Sequence, residues 1–155
     1  MPATTTKPAQ LRRRAARHVA YELGILRETL HFVRGTSYVQ RAMLETYLVH
    51  TRNLIEFFFD GAPRGAILPK DFGASPHRDG SMRSLHTEIS QLLSHLTWAR
   101  VNIHELRPQD WSYTRLSKTF DAVRAKAVAF LAELPEPQRQ WFTCDAFPHE
   151  FRHWS

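Results

Sequence analysis

Apolar residues recur along most of this chain in alternating steps of three and four, the spacing that places them on one face of an α-helix. Ala16, Val19, Leu23, Leu26, Leu30 and Val33 predict a long first helix over residues 8–34. Gly35-Thr36-Ser37 ends it, and Ser37 has the chemistry of an N-cap for the next. Met43, Tyr47, His50, Leu54 and Phe57 form the central stripe of a second helix over residues 38–59. Glycine and proline then thicken, which predicts a long connection over residues 60–80 with Ile67-Leu68 and Phe72 tucked onto the core. Ser81 opens a third helix whose apolar row is Leu85, Ile89, Leu92 and Leu96, continuing to about Val101. A fourth starts near Gln109–Tyr113 and carries Leu116, Phe120, Val123, Ala127, Phe130 and Leu134, until Pro135-Glu-Pro137 stops it.

The remaining tail holds Trp141, Phe142, Phe147, Phe151 and Trp154, too aromatic for a free end. It either folds back over the bundle or packs against a second copy. No alternating strand pattern interrupts these segments. The expected fold is therefore all-α: four main helices in an up-down type bundle, a long loop between the second and third, and an aromatic C-terminal tail. Residues 1–8 lack apolar periodicity and are expected to be a flexible terminus. Residues 9–155 form one domain.

The total charge changes this picture because it is unevenly placed. The chain has 155 residues and a net charge of +6. Of 21 basic residues, eight fall within residues 1–41, where only Glu22 and Glu28 of the 15 acidic ones occur. The remainder is neutral, so the excess belongs to the first helix. Arg12, Arg13, Arg14 and Arg17 are accordingly candidate contacts for RNA or for an acidic protein partner.

Cys144 is the one cysteine, which excludes an intrachain disulfide and a Cys-based zinc site and suits a cytoplasmic setting. No stretch approaches the roughly 18 apolar residues of a membrane span, and no apolar core follows Arg12–Arg14 as a secretory leader would need. Phosphate-loop, dinucleotide and nucleophile-elbow motifs are missing, as are the Glu-x-x-His and His-Glu-x-x-His metal patterns. Neither a metal nor a cofactor is expected.

Candidate chemistry gathers on the second and third helices. His50 lies within an apolar stripe, points inward and needs a partner. Glu45, Arg52 and Glu56 share a flank, with Arg52 and Glu56 as i,i+4 neighbours and Asn53 beside them. On the third helix His95 lies to one side of the apolar row and Arg100 close to it, with Glu45 or Glu56 as the acid Arg100 would meet. His77, His86, His95 and His104 are nine residues apart, about 900° of helix, so successive members face opposite ways and form no single site through the helix.

Two readings of the His50, Arg52, His95 and Arg100 network stand side by side. In one, a histidine moves protons and the arginines hold anionic oxygens. In the other, the network with Glu45, Asn53 and Glu56 only fixes helix register, in a non-catalytic interaction or dimerisation module.

Glu45-x4-His50-x-Arg52-Asn53-Leu54-x2-Phe57-Phe58, then Asp71-Phe72 and His95-Leu96-Thr97-x2-Arg100, resembles a family of uncharacterised bacterial helical-bundle proteins over residues 40–115. More distantly the chain resembles HEPN domains, small helical bundles that bind or cleave RNA in toxin–antitoxin and phage-defence systems. Their active motif is Arg, four to six residues, then His. Arg12-x5-His18 and Arg13-x4-His18 match it, and Arg100-x3-His104 is one residue short. The resemblance implies an RNA partner and RNA cleavage; in the network reading His50 or His95 is the acid–base residue of that cleavage, with Arg52 and Arg100 on phosphate. A homodimer would form through the aromatic tail.

Overall fold

A computed structural model describes residues 7–34, 37–59, 65–77, 79–94 and 111–143. These form five α-helices and no strand, so the chain is all-α. Helix α1 spans Ala9–Phe32, α2 Tyr38–Phe58, α3 Gly80–Ser94, α4 Tyr113–Glu133 and α5 Glu136–Thr143.

The local chemistry explains each boundary. Ser37 and Gln40 close a capping box at the start of α2: the Ser37 hydroxyl accepts from the Gln40 amide, and the Gln40 side chain accepts from the Ser37 amide. Asp79 does the same work for α3, accepting from both the amide and the hydroxyl of Ser81. The Ser81 hydroxyl contact, foremost, holds the Asp79 carboxyl below its ordinary range. Ser112 caps α4 through Arg115 N.

Helix α2 is central and packs on α1, α3 and α4, while α1 also meets α4 and α5. The apolar rows read from the sequence form the core: Leu23, Leu26, Leu54, Ile89, Leu116, Val123 and Phe130 are all buried. A short 3-10 turn at Pro69–Phe72 seats Phe72 in that core, and Ile67 packs partly against it. The connection therefore carries ordered structure of its own. Lys7 reaches Asp71 at 3.7 Å and ties the start of α1 to this turn.

The region after Pro135 differs from the expectation. The prolines end α4, and a further helix starts at once, because Pro137 falls in the first turn of α5, where no backbone donor is needed. Arg139 on α5 turns back and donates to Leu131 O at 3.0 Å and Leu134 O at 3.1 Å, adding side-chain donors at the last carbonyls of α4. Phe142 is buried edge-on against Phe72 and Phe130, at 5.1 and 5.2 Å between ring centres. The segment with Trp141 and Phe142 thus packs against α1 and the core. Phe147, Phe151 and Trp154 lie outside the described residues, as do His95, Arg100, His104 and Cys144.

Candidate functional site

His50 meets the partner its inward position demands. Its Nδ1 lies 2.6 Å from Glu22 Oε2 across the α1–α2 seam, and Asn53 Nδ2, one turn further along α2, donates to the same oxygen at 3.0 Å. Only 13% of the His50 side chain is exposed, and Tyr21 stands edge-on to the ring at 5.9 Å. A carboxylate on Nδ1 fixes the tautomer and directs Nε2 outward, the arrangement that orients a general base.

A second pair joins α2 to α3. His86 on α3 reaches Glu56 at 2.8 Å, and Arg52 lies 3.8 Å from the same oxygen. Arg52 and Glu56 are thus the i,i+4 ion pair that the spacing predicts. Glu45 is exposed on the surface of α2.

Glu22, Asn53 and Glu56 also border a cleft of about 180 Å³ between α1, α2 and the segment around Ile67. His18, exposed one turn before Glu22, stands at its edge. Two carboxylates at one cleft work against an anion. The cleft beside His50 is therefore poor ground for a phosphate, and Arg52, expected to hold one, sits beside Glu56 instead. Among the described residues no group of three or more His, Cys, Asp or Glu is placed to hold a metal ion.

The four candidate arginines of α1 separate into two sets. Arg12 and Arg13 lie over the Trp141 ring of α5, at 5.3 and 5.7 Å from its centre, as cation–π contacts. Arg14 and Arg17 are exposed on the outward face, with Tyr21 one turn beyond at 45% exposure. Glu22, His18 and His86 were not picked out from the sequence as members of this site. Glu22 lies 28 residues from His50, and only helix packing brings the two together. His86 likewise meets Glu56, 30 residues away, only through the packing of α3 on α2.

These features define the chain as an all-α protein whose central helix is joined to α1 and to α3 by His–Glu contacts. Comparison with protein-family models, with curated proteins and with solved structures found no match. Among the described residues no helix is long and apolar enough to cross a membrane.

Proposed function

We propose that this chain is an RNA-binding helical protein, HEPN-like in build, that holds RNA on the outward face of α1 and does not cleave it at His50. One observation carries the reading: Arg14, Arg17 and Tyr21 stand exposed at i, i+3 and i+7 on α1, within the first 41 residues that hold the chain's excess positive charge. Arginines neutralise phosphates, and a tyrosine ring stacks on a base at roughly 1–3 kcal/mol. The acidic cleft beside His50 supports the non-catalytic half, because both of its carboxylates oppose a scissile phosphate. The His50–Glu22 and His86–Glu56 pairs then act as interhelical ties.

Fluorescence anisotropy with a labelled single-stranded RNA at low salt tests this. The Arg14→Gln/Arg17→Gln double variant is expected to bind roughly tenfold more weakly, and Tyr21→Ala about fivefold or more. The RNA should stay full length with the wild type and with His50→Ala alike. Absence of binding, equal binding by all three proteins, or cleavage lost in His50→Ala would each overturn the proposal.

A further inference from the structure

We infer that the end of the bundle where α1 stops and α2 begins docks reversibly on an anionic lipid surface. Three of the six large apolar side chains exposed among the described residues fall there within eight positions: Phe32 at 58%, Tyr38 at 88% and Val39 at 63%. A cluster of this kind marks an interaction surface, whereas a single exposed apolar residue is ordinary. The cluster is also held in shape. The Gln40 side chain donates to Arg34 O and accepts from Ser37 N, which ties the residues after α1 to the first turn of α2.

The charge around the cluster chooses the occupant. His31, Arg34 and Arg41 are exposed and flank the three side chains in the chain, and no acidic residue occurs between Glu28 and Glu45. Glu28 is itself paired with Arg27 at 3.1 Å. Arg34 lies over the Tyr113 ring at 3.9 Å, which holds its guanidinium at this end of the bundle. A lipid interface satisfies both halves of the patch. It takes a tyrosine ring at headgroup level and apolar side chains just beneath, and its anionic headgroups attract nearby arginines. A polynucleotide would leave Val39 without a role, since that side chain has no ring on which a base could stack. A second copy related by a twofold axis would bring its own Arg34, Arg41 and His31 against these. Docking of this kind lies on the membrane and needs no spanning helix.

Co-sedimentation with mixed phosphatidylglycerol–phosphatidylcholine vesicles at physiological salt tests the surface, with pure phosphatidylcholine vesicles as the uncharged comparison. The protein is expected to partition onto the mixed vesicles, and roughly tenfold more weakly onto the pure ones. Tyr38→Ser/Val39→Ser should weaken partitioning roughly tenfold. Its melting temperature should stay near that of the wild type, because both side chains are exposed in the first turn of α2. Arg41→Gln, which leaves the apolar cluster intact, should weaken partitioning roughly fivefold. The Arg14→Gln/Arg17→Gln protein should partition like the wild type, and Tyr38→Ser/Val39→Ser should keep full RNA affinity, which separates this surface from the RNA-binding face. No partitioning of the wild type, equal partitioning onto both kinds of vesicle, or no change in either the Tyr38→Ser/Val39→Ser or the Arg41→Gln protein would overturn the proposal. So would an equal loss in Arg14→Gln/Arg17→Gln, which would assign the vesicle contact to the outward face of α1. A dimer in sedimentation velocity that Tyr38→Ser/Val39→Ser dissolves would also overturn it, because the occupant would then be a second copy.

Discussion

Tyr47 carries the sharpest consequence of burial in the molecule. It is fully enclosed, its hydroxyl donates to Leu116 O at 2.7 Å, and burial pushes its phenol far above the ordinary value of 10.0. Below that ordinary value the phenol is neutral in both the folded and the unfolded chain. Above it the unfolded chain releases the proton and the folded chain does not, so stability falls as pH rises through this range. Urea denaturation between about pH 8 and pH 11 should show this fall at its upper end. Tyr47→Phe should cost about 1 kcal/mol at neutral pH and make the alkaline fall shallower by up to ~1.4 kcal/mol per pH unit. An alkaline slope unchanged by Tyr47→Phe would contradict the burial account. At the same scale, Glu22→Gln should lower stability by about 1–2 kcal/mol, and combining it with His50→Ala should cost less than the sum of the single changes. Strict additivity in that double-mutant cycle would mean that the 2.6 Å contact contributes nothing.

Among the elements, α5 shows how a short segment earns its place by packing. Eight residues are too few for a helix to persist on propensity alone. It is held by Phe142 in the aromatic cluster, by Arg139 on the last carbonyls of α4, and by Trp141 beneath Arg12 and Arg13. Phe142→Ala should therefore cost about 3–5 kcal/mol in a thermal or urea melt. The half-exposed Val128→Ala should change stability by less than about 0.5 kcal/mol. Equal effects would place Phe142 outside the core.

The longer helices could be read from the chain because twenty or so residues of three-and-four spacing repeat one message many times. The Ser37 cap was legible for a related reason: its chemistry is completed within three residues by Gln40. Helix α5 escaped because two prolines in three residues signal an end and conceal a beginning. The site was half legible. His50 declared its need for a partner by its place among Tyr47, Leu54 and Phe57, and Arg52–Glu56 was fixed by spacing within one helix. The identity of Glu22 and His86 depends on how α1 and α3 lie against α2, and periodicity along a single helix does not encode that.

On the scale of the whole molecule, charge is sorted by location. Acidic side chains tie α2 to its neighbours at Glu22 and Glu56, and one pair of arginines stacks on α5. Arg14 and Arg17 are exposed on the outward face of α1. Binding of a polyanion there releases counterions in proportion to the phosphates neutralised. The salt dependence of RNA affinity therefore tests the central claim most directly. A plot of log affinity against log salt should slope steeply downward for the wild type. Its slope should be shallower by about 1.4 for Arg14→Gln/Arg17→Gln, close to 0.7 for each phosphate contact removed on a single strand. Identical slopes for the two proteins, or affinity that does not change with salt, would contradict the account.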